Sequence, residues 1–123
     1  MTDATIHSEL KELMAEIVGH QLSSVTLVQD YIQFAFDGPV LTTYTLPTGS
    51  VRSQDLKWGE AGYRDAICGE IAHLVQHVEV DEQRALLLFD NGATISISLL
   101  DEDYVGPEAL MFSLNKKQKW IVV

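Results

Sequence analysis

The sequence has little with which to tie the chain together covalently or through a metal. Cys68 is the only cysteine among 123 residues, so an internal disulfide and a cysteine-based zinc site are both excluded. Because Cys68 lies in an apolar stretch with Ala66 and Ile67, we expect it to be a small buried hydrophobe rather than a nucleophile. Hydrophobic residues make up 46% of the chain, which is enough for a single globular domain over 1–123 to fold by burial alone.

Long apolar runs are also missing. No stretch approaches the ~20 residues that a membrane-spanning helix needs. The first residues, Met1 to Thr5, lack the basic and then apolar pattern of a signal peptide. We therefore expect a cytoplasmic protein that does not bind a membrane.

Positive charge is scarce. Eight basic residues face 18 acidic ones, and the net charge of −10 is shared equally by the two halves of the chain. Such a field repels nucleic-acid phosphates, and the one basic cluster, Lys116, Lys117 and Lys119, is too small for a nucleic-acid footprint. The acidity therefore indicates either solubility alone or a basic protein partner.

Sequence signatures of catalysis are absent. There is no glycine-rich phosphate loop, no Gly-x-Ser-x-Gly elbow and no His-Glu-x-x-His motif. His73 and His77 have a spacing that could hold a metal on a helix, but the helix should end near Ala72, which leaves His77 on the outer face of a strand. His20 and His73 each follow a predicted helix, where a cation helps to satisfy the terminal carbonyls.

The acidic residues do not form a metal or catalytic pattern. Asp101 and Asp103 with Gly106 begin like a calcium loop, but the third oxygen ligand and the closing glutamate are replaced by apolar residues. Asp37 and Asp90 each stand at a turn, where an aspartate bonds to the nearby backbone. We therefore expect no metal, no cofactor and no catalytic residue.

What is present is a helix followed by strands, twice. Apolar residues recur at helical spacing near the N-terminus, at Leu10, Leu13, Met14, Ile17 and Val18. Gly19 suits the left-handed residue that ends such a helix. Alternating β-branched and aromatic residues then predict strands near 25–28, 31–36 and 40–46.

The same order of signals returns 53 residues later. That offset places Leu10 on Tyr63, His20 on His73 and Phe36 on Phe89, and duplication or a coincidence of two similar units would explain the match. The second unit is predicted as a helix over 62–72 and strands near 74–81, 84–90 and 94–100. Its turn, Asp90-Asn91-Gly92 with the flanking strands over 86–99, is similar to the meanders of many small bacterial domains, which implies a meander and no particular activity.

The predicted fold class is α+β in one compact domain. Its repeat-like halves, 5–46 and 62–100, are each a helix and a three-stranded antiparallel meander, and a C-terminal β-hairpin occupies 109–123. Two segments show no strand period, namely the connector 47–61 and the acidic loop 101–108. Long irregular segments in a compact domain are often functional.

Trp58 in the connector is the residue of most interest. A large aromatic side chain there either fills the core or anchors a partner. If it is exposed, we expect a partner-binding surface made of Leu56, Trp58, Asp101, Glu102, Asp103 and Tyr104.

These features predict a small acidic protein-binding module without catalysis, such as an immunity or inhibitor protein or an accessory subunit. The alternatives are a small-molecule-binding domain with a pocket between the two meanders and a small enzyme. The enzyme would need a buried polar cluster that includes His20, His73 or Cys68. A homodimer formed through an exposed strand edge also fits the sequence.

Overall fold

The computed structural model describes residues 3–114 and 119–123, and within these ranges the chain forms two α-helices and ten strands. The helices are α1 (Asp3–Met14) and α2 (Tyr63–Cys68), and 3₁₀ turns occupy Ala15–Ile17 and Asp101–Asp103. The strands are β1 (Ser24–Leu27), β2 (Ile32–Ala35), β3 (Val40–Thr43), β4 (Thr48–Val51), β5 (Gln54–Leu56), β6 (Val75–Val80), β7 (Arg84–Phe89), β8 (Thr94–Ser98), β9 (Leu110–Ser113) and β10 (Trp120–Val122). No helix in the described part of the chain is long and apolar enough to cross a bilayer.

The strands form two five-stranded antiparallel sheets, which confirms the predicted α+β class. One sheet has the order β1-β2-β3-β9-β10 and the other β5-β4-β8-β7-β6. Each sheet is therefore a three-stranded meander from one half of the chain, extended by a hairpin from the other half. The predicted C-terminal hairpin is β9 and β10, with Trp120 opposite Ser113. The tip of this hairpin lies outside the described residues.

Each helix also packs against strands from the opposite half of the chain. Helix α1 packs on β6 and β9, whereas α2 packs on β4 and β1. Each helix thus rests on strands from the other half of the chain. Side chains from both halves form one continuous core, with the largest fully buried ones including Phe34, Phe36, Tyr63, Phe89 and Phe112.

The halves also meet at an isolated antiparallel bridge between Gln21 and Leu74, two residues that are 53 positions apart. Four flanking backbone hydrogen bonds form two pairs related by the same offset: Gly19 N–H to Val75 O with Ala72 N–H to Leu22 O, and Leu22 N–H to His73 O with Val75 N–H to His20 O. The offset found in the sequence therefore also relates these contacts. A common origin of the halves stays a prediction.

The connector 47–61 differs from its predicted irregular structure, because it contains β4 and β5. Residues Thr48 to Ser50 pair with β8, and Gly49 lets β4 approach α2 so closely that an added Cβ would lie 3.2 Å from Ile67 Cδ1. The extended conformation is imposed by a distant strand and by this close packing. Local residue alternation therefore gives no sign of it.

The helices are shorter than predicted. Helix α2 ends at Cys68 instead of extending to 72, and Ala72 has a left-handed backbone with φ 79°. Helix α1 tightens into the 3₁₀ turn after Met14, which turns Val18 outward and leaves it 45% exposed. Cys68, expected to be buried, is half-buried because it is the last residue of the short helix.

Candidate functional site

Two adjoining surface grooves lie on either side of residues 100–105, which we call the ridge. The Trp58 groove has a volume of about 520 Å³, and its apolar lining includes Leu46, Trp58, Leu100 and Val105. The acidic cleft on the other side has a volume of about 540 Å³. Leu100 in the ridge and Gln83 line both grooves, so the two grooves adjoin at these residues.

Trp58 is held by its neighbours and yet is 39% exposed. Its ring meets the buried Tyr63 ring edge-on, with centroids 5.8 Å apart, and the Arg64 guanidinium lies 5.6 Å above it in cation–π contact. The turn that contains Trp58 is closed by Glu60, whose Oε1 accepts the Lys57 N–H at 2.6 Å. The indole is therefore held in place and partly exposed to solvent, and it does not fill the core.

Tyr63 anchors this arrangement from below. Its hydroxyl donates to the Pro47 carbonyl at 2.6 Å in a buried contact, and burial raises the pKa of Tyr63 well above its usual value. The phenol is therefore neutral and acts as a hydrogen-bond donor. It fastens α2 to the start of the hairpin that leads to Trp58.

The ridge is a 3₁₀ turn tied to strand β8. The Ser98 hydroxyl donates to Asp103 Oδ2 and accepts the Leu100 N–H at 3.2 Å. These bonds fix the ridge beside the sheet. Val105, at the end of the ridge, is 86% exposed. An exposed valine and a held tryptophan that line one groove provide apolar contact area at the surface.

The acidic cleft has a different character. Its floor includes Ile6, Leu99 and Val122, its acidic residues are Glu82 and Asp101, and its described lining contains no lysine or arginine. His7 also lines it, and His7 Nδ1 is buried without a hydrogen-bond partner among the described residues. The cleft thus combines an apolar floor with negative charge.

The structure brings the two predicted loops together, although not as one continuous surface. Trp58 and Asp103 line the Trp58 groove, whereas Asp101 and Tyr104 line the acidic cleft. Leu56 packs against the core and Glu102 points to solvent, and neither lines these grooves.

Comparisons with protein families, curated proteins and solved structures found no match. The sequence prediction missed Val105, Lys57 and Arg84, which line the Trp58 groove. Val105 could have been found from the sequence, because it is an aliphatic residue within an acidic loop. No sequence pattern indicated Arg84, because its place in the groove depends on the pairing of β7 with β8.

A second polar cluster lies at the other end of the β7–β8 hairpin. His73 Nδ1 lies 2.8 Å from Asp90 Oδ1, and this contact holds the pKa of Asp90 below its usual range. Glu70 is only 3% exposed, and its Oε1 has no hydrogen-bond partner among the described residues. Burial raises the pKa of Glu70, against the opposing effects of a hydrogen bond from Asn91 and of nearby His73.

This cluster is placed to join structural elements. Asp90 Oδ2 also accepts the Leu74 N–H at 3.3 Å, which fastens the hairpin turn to the segment after α2. His20 makes the corresponding contact in the first half, with Nδ1 3.0 Å from the Phe36 carbonyl oxygen. Both histidines therefore bind strand ends, and the prediction that they satisfy helix carbonyls is wrong. The described residues contain no group of three or more His, Cys, Asp or Glu that could hold a metal.

Proposed function

We propose that this protein is a small acidic protein-binding module, of the kind that serves as an immunity protein, an inhibitor or an accessory subunit, and that it acts without catalysis. The observation that supports this proposal is the Trp58 groove. Trp58 and Val105, from two segments far apart in the chain, are both exposed and line one open groove at the surface. Tryptophan is enriched among the residues that dominate binding energy at protein interfaces.

The groove is suited to binding because its main side chain is already held in place. Tyr63 and Arg64 position the Trp58 ring before any partner arrives. Little side-chain entropy is then lost on association, and the burial of Trp58 and Val105 contributes about 25 cal/mol per Å² of apolar area. We expect removal of the indole to cost about 2 kcal/mol or more of binding free energy.

The charge of the chain favours a basic partner. A net charge of −10 on a domain of this size creates a negative field that raises the rate of encounter with positively charged proteins. The same field disfavours nucleic acids and anionic membranes. Association should therefore weaken as salt is raised.

Affinity purification from the cell of origin tests this proposal. The full chain is compared with a Trp58→Ala, Val105→Asp double variant and with a matched Trp120→Ala control, because Trp120 is 64% exposed on β10 and lines neither groove. We expect one partner to be recovered with the wild type and the control, and its yield to fall about tenfold or more with the double variant. Recovery of the chain alone under gentle conditions would count against the proposal.

The small-molecule-binding alternative stays a prediction. Its pocket is predicted between the two meanders, both of which contribute buried phenylalanines, among them Phe34, Phe36 and Phe89, to one core. A homodimer also stays a prediction, with β1, β10, β5 and β6 as the sheet edges that would form it.

A further inference from the structure

We propose that the partner presents a basic peptide segment that crosses the ridge, with an apolar side chain in the Trp58 groove and a lysine or arginine in the acidic cleft. This inference rests on the proposed protein-binding function and specifies the chemistry of the segment that is bound. It follows from the different charges that line the two adjoining grooves.

The lining of the acidic cleft suits a long basic side chain. Lysine and arginine have an apolar stem and a cationic head. Ile6, Leu99 and Val122 provide an apolar floor for the stem, and the carboxylates of Glu82 and Asp101 attract the head. Because both carboxylates belong to exposed residues, neither must be desolvated fully before the ligand arrives.

The Trp58 groove rejects the same side chain. Lys57 and Arg84 line it and would repel a cation. Its one acidic residue, Asp103, already accepts a hydrogen bond from Ser98. Trp58 and Val105 instead offer apolar contact, so the two grooves prefer different residues and together set the direction of the bound segment.

The grooves are close enough to be filled by one short segment. Leu100 and Gln83 line both grooves, so the two grooves adjoin at these residues. An extended chain advances ~3.3 Å per residue and alternates its side chains. The apolar and basic residues of the ligand should therefore be separated by about one to three positions.

The experiment uses the full chain, immobilised, and a phage-displayed library of random linear peptides as the probe. We expect enriched peptides to combine an aromatic or large aliphatic residue with a nearby lysine or arginine. The strongest such peptide is then synthesised, together with a version in which its basic residue is replaced by leucine. Both are titrated against wild type, Glu82→Gln, Asp101→Asn and Trp58→Ala, with Glu108→Gln and Trp120→Ala as exposed controls.

We expect Glu82→Gln and Asp101→Asn each to lower the affinity for the basic peptide up to about fivefold, as for exposed charge pairs. They should leave the leucine version unchanged, because the lost interaction requires the ligand cation. Trp58→Ala should lower the affinity for both peptides about tenfold or more. The control variants should bind like wild type.

Two failures can be told apart. Enriched peptides that need Trp58 but are acidic or uncharged, or that bind the two acid variants normally, would overturn this inference and leave the proposed function in place. A selection with no enrichment over the Trp58→Ala, Val105→Asp variant would overturn both. Glu82 and Asp101 are exposed, so their substitution does not disturb the core on which folding depends.

Discussion

Ala72 has φ 79°, a left-handed conformation that costs a residue with a Cβ about 1 kcal/mol or more. The residue 53 positions earlier is Gly19, which has φ 90° and no such cost. The two residues make equivalent hydrogen bonds beside the bridge between the halves. The strain at Ala72 is therefore held by the contacts that join the halves.

Replacing Ala72 by glycine should relieve this strain. We expect Ala72→Gly to raise the free energy of unfolding by about 0.5 to 1 kcal/mol, since the gain exceeds the added entropy of the unfolded chain. Urea denaturation measures the effect. Ala61→Gly, at an exposed position without a positive φ, is the control and should be slightly destabilising. An equal loss of unfolding free energy in both variants would show that Ala72 is not strained.

Glu70 is a buried carboxyl whose pKa is raised by desolvation. The folded state then holds the Glu70 proton more tightly than the unfolded state does. The resulting stability is fully present below the ordinary glutamate pKa and is lost as pH rises through the raised folded value. At neutral pH the ionised side chain therefore destabilises the protein.

Glu70→Gln should consequently stabilise the protein by about 1 kcal/mol at pH 7, because it removes a buried charge. The gain should shrink as the pH approaches 4, where the glutamate is itself neutral. Unfolding is measured at both pH values, with Glu108→Gln as the exposed control. A glutamine variant that is less stable than wild type at pH 7 would show that the ionised form is stabilised by its neighbours.

At the level of elements, the meanders could be predicted from the sequence and the β4–β5 hairpin could not. Strand β8 alternates buried isoleucines with half-buried serine and threonine, so its period is visible locally. Strand β4 is Thr-Gly-Ser-Val and owes its conformation to its pairing with β8 and to its packing on α2. Trp58 and Asp103 were predicted as candidate site residues, which stays a prediction, but the groove that both of them line depends on this hairpin and could not be predicted.

Gly49 tests the close approach of β4 to α2. A side chain at this position would press on Ile67, whose Cδ1 lies 3.2 Å from the position of an added Cβ. We expect Gly49→Val to destabilise the protein by about 2 kcal/mol through overpacking. Ser50→Val, one residue along on a half-buried position, is the matched control and should be nearly neutral. Thermal unfolding of the two variants would decide, and equal midpoints would contradict the packing described.

At the level of the whole molecule, the halves are interlocked. Each hairpin completes the sheet of the other half, and each helix packs on strands from the other half. The sequence could predict two similar units, but it could not predict this exchange. Pairing between distant strands depends on long-range contacts that leave no local pattern.

Interlocking predicts that neither half folds alone. Fragments 1–61 and 62–123 should each be unfolded in isolation, because each lacks the strands that complete its sheet and cover its helix. An equimolar mixture should regain the amide dispersion of the intact chain in nuclear magnetic resonance spectra. A native-like spectrum from either fragment alone would show that the halves are independent.

We propose that a protein partner binds across the ridge and the Trp58 groove. It is tested most directly by a photoreactive phenylalanine analogue placed at position 105 and, in a separate variant, at position 120, which is exposed outside both grooves. Irradiation in the cell of origin should cross-link one partner protein to the variant with the analogue at position 105. The variant with the analogue at position 120 should not be cross-linked to that protein. No protein cross-link at 105, or an equal one at both positions, would contradict the claim.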